Sequence, residues 1–87
     1  MTDPELIKLI LDLVASGDFS LTFHAKDRMN QRNVSEMDIQ HAAQTSHHEK
    51  VQDAKKGKIL FEGQDLDGDD LEVVAAYEAG VVIISVF

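Results

Sequence analysis

The sequence predicts an α+β domain: N-terminal helices packed on an antiparallel sheet of three or four strands. Three observations predict it. Apolar residues recur at three- and four-residue spacing as far as Ala43. From residue 49 the period falls to two. Thr2, Thr22 and Ser35, all good N-caps, each stand ahead of a helical stretch.

The first helix is predicted over residues 3–16. Thr2 and Glu5 have capping-box spacing, and Pro4 falls in the first turn, where its missing N–H costs little. Leu6, Ile10, Leu13 and Val14 form its apolar face, and Gly17 suits the C-terminal cap. Phe19 to Leu21 reads as a short extended piece. Thr22 then caps a second helix running to about residue 32, where Asn33 takes the left-handed position usual for glycine. Ser35, with Asp38 at the third position, opens a third helix whose buried side is Met37, Ile39, Ala42 and Ala43.

The strands follow. Val51 lies in a short polar edge strand, KKGK makes a turn, and Lys58 to Glu62 is the next strand. Leu71, Val73, Ala75 and Tyr77 alternate with Glu72, Val74, Ala76 and Glu78. Ala79-Gly80 turns the chain into Val81 to Phe87, which is apolar on both faces and so belongs inside the sheet.

At 87 residues the chain has room for one domain, 1–87, with a small core. Eight Lys and Arg against sixteen Asp and Glu give a net charge of -8, which argues against strong non-specific binding to nucleic acid. The absence of cysteine excludes a disulfide framework, thiolate metal sites and Cys nucleophiles. The N-terminus lacks the basic region and cleavage site of a secretory signal. Lys8 and Asp12 interrupt the apolar stretch Leu6 to Val14, and VVIISVF is too short to span a bilayer. A cytoplasmic protein with no membrane partner is the expectation.

The chemistry concentrates on the second helix. Arg28 and Arg32 are the only arginines, and with His24 they fall at i, i+4, i+8, nearly on one face. Arginine's planar fork suits phosphate or carboxylate, and histidine exchanges protons near neutrality. Two readings stay open: a phosphate site beside an imidazole, or arginines paired with carboxylates that hold helix and sheet in register.

The stretch LTFHAKDRMNQRNVSEMDI, residues 21–39, resembles the signature of a bacterial domain-of-unknown-function family, family 4258. Thr22, His24, Ala25, Arg28, Met29, Arg32, Val34, Ser35, Asp38 and Ile39 match; Asn33 stands where the family usually has glycine. The closing LEVVAAYEAGVVIISVF resembles the family's final hairpin, with Ser85 as its small hydroxyl, so the resemblance covers roughly residues 19–87. The order of elements is similar to that of small RelE-like and BrnT-like ribonuclease toxins, which cut RNA without a metal or other cofactor. That analogy implies His24 as general base or acid and Arg28 and Arg32 as stabilisers of charge on the scissile phosphate. It also implies Tyr77, Ser85 or Lys58 as sheet residues completing the site, with RNA as substrate and an antitoxin-like protein as partner.

Other motifs are explained without a ligand. His41, His47 and His48 lack a fourth metal ligand at useful spacing. DLDGDD, residues 65–70, lacks the glycine and the glutamate of a calcium loop and reads as a polar turn. Lys55, Lys56 and Lys58 surround a hairpin turn.

The leading expectation is a RelE/BrnT-like, metal-independent endoribonuclease of the toxin type. Its rival is a non-enzymatic interaction module whose His/Arg stripe is structural or binds an acidic partner. A third reading is a small anionic ligand held at the arginine pair. An open concavity beside the arginines favours the first and third; burial in salt bridges favours the second.

Overall fold

The computed structural model describes residues 1–87. Helix α1 spans Asp3–Ala15, β1 Ser20–Leu21, α2 Phe23–Arg32 and α3 Glu36–Gln44. Strands β2 (His48–Asp53), β3 (Lys58–Gln64), β4 (Asp70–Tyr77) and β5 (Val81–Val86) follow. No helix is long and apolar enough to cross a membrane.

The caps form as their residue types dictate. Thr2 and Glu5 exchange hydrogen bonds at the start of α1, and Ser35 and Asp38 do the same at α3. Gly17 follows α1 at φ 84°, and Asn33 closes α2 at φ 55°, the left-handed geometry that glycine usually supplies at a helix C-terminus. α1 buries Leu6, Ile10 and Val14, and α2 buries Ala25 and Met29. α3 buries Ile39, Ala42 and Ala43 but leaves Met37 64% exposed. Met37 stands two residues before Ile39, which turns it about 200° round the helix, so it does not belong to the buried side.

The sheet has five strands in the order β1-β5-β4-β3-β2, not the three or four expected. It is mixed, because β1 runs parallel to β5 while every other pair is antiparallel. Two residues carry no periodic signal, so Ser20-Leu21 reads from sequence as an extended piece only. β2 is an edge strand, and β5 lies inside the sheet, between β1 and β4.

All three helices contribute to one core on one face of the sheet, where Ile59, Phe61, Leu71, Val73, Ala75, Val81, Ile83 and Val86 meet them. Gly63 marks how closely α3 approaches: a Cβ there would fall 2.0 Å from the Ala42 carbonyl oxygen. The opposite face carries no helix. By alternation it presents Lys58, Leu60 and Glu62 of β3 and Glu72, Val74 and Ala76 of β4.

One irregularity decides what β5 adds to that face. Val74 pairs with Ser85 but Ala75 pairs with Ile83, so Ile84 is an extra residue. The bulge reverses the alternation. Val86 turns into the core at 0% exposure, and Ser85 joins Val74 on the helix-free face.

Candidate functional site

A concavity of about 400 Å³ opens on the helix-free face. Its apolar floor is Leu60, Val74 and Ile84, and its polar wall is His24, Lys58, Glu72, Gln52 and Ser85. Phe87 closes one side. A volume of this order falls within the usual range for small-ligand sites.

α2 brings His24 to it by clamping the outer edge of β5. β1 covers only two residues of that edge, so β5 carbonyls further along need other donors. The Thr22 N–H donates to the Ile83 carbonyl at 3.1 Å, and the Thr22 hydroxyl donates to the Ile84 carbonyl at 3.1 Å. Six residues on, Arg28 Nε donates to the Val86 carbonyl at 3.2 Å. His24 sits between these anchors, with Nε2 3.1 Å from Ser85 Oγ. Ser85 is 5% exposed, whereas His24 is exposed to solvent. The contact therefore joins a fixed hydroxyl to a reachable imidazole.

Arg28 is half-buried and has no carboxylate partner; the ion pairs of the chain are Lys8–Asp12 and His47–Glu62. Its guanidinium lies 5.2 Å from the centroid of the Phe87 ring, beside the concavity. Only Nε–H is engaged, so the terminal nitrogens of the fork are free for an anion.

The structure thus brings together His24, Ser85 and Lys58, with Arg28 on the flank. It does not bring in Tyr77 or Arg32. Tyr77 packs against the helix-side core, on the other face of the sheet. Arg32 is exposed, has no ion-pair partner, and lines no part of the concavity, although its spacing matches the stripe. Arg32 is the last residue of α2, two i+4 steps from His24, and makes no hydrogen bond to β5. Gln52, Glu72 and Phe87 are lining residues that sequence reasoning missed. Glu72 was marked only as the polar side of an alternating strand. That is the signal that places it here once the helix-free face is known.

The concavity is less acidic than the chain as a whole. The net charge is -8, yet the lining balances one lysine, Lys58, against one carboxylate, Glu72, with Arg28 adjacent and Glu62 opposite Glu72 on the neighbouring strand. No Asp or Glu oxygen bonds His24, so the His24–Ser85 pair lacks the third group that orients the base in a Ser-His-Asp triad. No cluster of three His, Cys, Asp or Glu side chains has geometry for a metal ion.

The family model described as Domain of unknown function (DUF4258) matches residues 21–87, from the last residue of β1 through Phe87. The chain belongs to the DUF4258 family. The matched region contains the whole concavity and omits α1. No curated protein and no solved structure matches the chain. Of the residues on which the resemblance rests, Thr22, His24 and Arg28 hydrogen-bond β5, while Ala25 and Met29 are buried in the core.

Proposed function

We propose that this DUF4258 domain is a metal-independent RNA-cleaving module of the RelE/BrnT-like toxin type. The observation that carries the reading is His24 Nε2 held 3.1 Å from a buried Ser85 hydroxyl at a concavity lined by Lys58 and flanked by Arg28. In this scheme the imidazole takes the proton of the ribose 2′-hydroxyl. The 2′-oxygen bonds to phosphorus, and the 5′-oxygen leaves with a proton from water in the open site. Arg28 and Lys58 stabilise the charge that builds on the phosphoryl oxygens. Ser85 holds the imidazole in place and is not the nucleophile.

The assay is cleavage of end-labelled RNA in EDTA, free and ribosome-bound, by wild type, His24→Ala and Tyr77→Phe. Wild type should yield 2′,3′-cyclic phosphate ends. His24→Ala should lose about 10²–10⁴ of the rate, and Tyr77→Phe, on the other face of the sheet, should keep it. No cleavage of either substrate, or undiminished cleavage by folded His24→Ala, sinks the proposal. The net charge of -8 favours a second reading, a non-enzymatic module binding a protein partner on the helix-free face, and it gains if cleavage fails.

A further inference from the structure

The far end of the concavity has the chemistry of a nucleobase subsite, and it pairs an aromatic ring with a carboxylate. Glu72 N–H donates to the Phe87 carbonyl at 3.2 Å, and Phe87 N–H donates to the Glu72 carbonyl at 2.8 Å. Two residues that exchange both bonds are directly opposite and present their side chains on the same face. Both line the concavity. Phe87 is 44% exposed, and Arg28 sits over its ring at 5.2 Å from the centroid. Glu72 is half-buried and has no ion-pair partner. Gln52 lines the opposite end of the concavity, beside Lys58, where β2 bulges.

Register fixes the distance to the reacting centre. Phe87 is two residues beyond Ser85, about 7 Å along the strand. That is the span between the phosphate of a nucleotide and its base. A ring offers any base a face to stack on, and edge contacts then choose among bases. An ionised carboxylate is an acceptor only, with two oxygens. Guanine is the one RNA base whose Watson–Crick edge offers two adjacent donors, N1–H and N2–H. The others offer one donor beside an acceptor that a carboxylate repels.

We propose that Glu72 and Phe87 form a guanine subsite, with Glu72 accepting from N1–H and N2–H of a base stacked on Phe87. The inference rests on the RNA-cleaving reading, since it places the phosphate at His24, Lys58 and Arg28.

The test is calorimetric titration of wild type and Glu72→Gln with the 3′-monophosphates of guanosine, adenosine, cytidine and uridine. Glutamine keeps the size but offers one acceptor and one donor, which mismatches the guanine edge. Wild type should favour 3′-GMP by about ten- to hundred-fold, and Glu72→Gln should bind all four within a few-fold of one another. Equal binding of the four by wild type, no binding of any, or a guanine preference that survives in Glu72→Gln overturns the subsite. RNA cleavage with no base preference defeats the subsite alone. A guanine preference without cleavage defeats the ribonuclease reading and leaves the subsite standing.

Discussion

Arg28→Ala separates the structural role of one side chain from its proposed one. The arginine closes the β5 edge through a 3.2 Å bond from Nε to the Val86 carbonyl, and in the proposed function its free terminal nitrogens bind the phosphate. A hydrogen bond to a charged donor contributes about 1.5–3 kcal/mol. The lower end applies, because Arg28 is only half-buried and water can reach the freed carbonyl. The contact with the Phe87 ring adds about 0.5–1 kcal/mol. No carboxylate is stranded by the change, so the roughly 3–5 kcal/mol of a broken buried ion pair does not arise. The sum is about 2 kcal/mol, or roughly 8–16 °C in melting temperature for a domain of this size. Thermal unfolding followed by circular dichroism measures it, and RNA cleavage well below the melting range measures the second role. Cleavage should fall about 10²-fold with the protein still folded. A loss above roughly 4 kcal/mol would mean a buried charge pair that the structure does not contain. An unchanged melting temperature would mean that the Val86 bond is not made in solution.

Two further variants test the packing that supports the site. Gly63→Ala should cost more than about 3 kcal/mol in urea denaturation, because the new Cβ falls 2.0 Å from the Ala42 carbonyl oxygen and α3 must lift off β3; a loss below about 1 kcal/mol would refute that close approach. Asp38 is held below the usual carboxylate range, first by the Ser35 N–H bond and also by the Leu66 N–H bond, the Ser35 hydroxyl and nearby His41. Its folded value is depressed, so its contribution is complete above the unfolded value of about 4 and is lost as pH falls through the folded value. Asp38→Asn should therefore lower stability by about 0.5 kcal/mol at neutral pH, since solvent screens this partly exposed carboxylate, and flatten the acid limb of the urea midpoint against pH. An acid limb identical to wild type would refute the assignment.

The helices were legible because their signals are local. Thr2 with Glu5 and Ser35 with Asp38 specify capping within four residues, and the structure forms both boxes. The antiparallel strands were legible from alternation, and the apolar run Val81 to Phe87 from having no polar face. What failed depends on contacts distant in sequence. β1 is defined only by its parallel partner sixty-two residues on, Ser20 beside Val82. Ser85 was singled out by resemblance, but strict alternation from Val81 and Ile83 puts it in the core. Its true direction depends on a bulge, and nothing in VVIISVF announces which residue is extra. Tyr77 is the converse: its alternation with Val73 and Ala75 already assigns it to their face, and that face is the helix-side core.

The signature that suggested chemistry is first an edge-closing device. A two-residue β1 leaves most of the outer edge of β5 without a strand, and unpaired carbonyls there would cost stability or invite another chain. Thr22 and Arg28 supply the missing donors from one helix, and Ala25 and Met29 seat that helix on the core. Those four positions have a structural reason to be what they are. His24 does not. It is solvent-exposed, pairs with no carboxylate, and makes its one side-chain hydrogen bond to Ser85, a hydroxyl that a bulge has turned away from the core. Folding alone would be served as well by alanine at both positions together, since that leaves no buried polar group unsatisfied, whereas alanine at His24 alone removes the one partner of the buried Ser85 hydroxyl. His24 and Ser85 are thus a pair that the fold does not need and that lines the concavity, and on that ground the proposed chemistry is built on them.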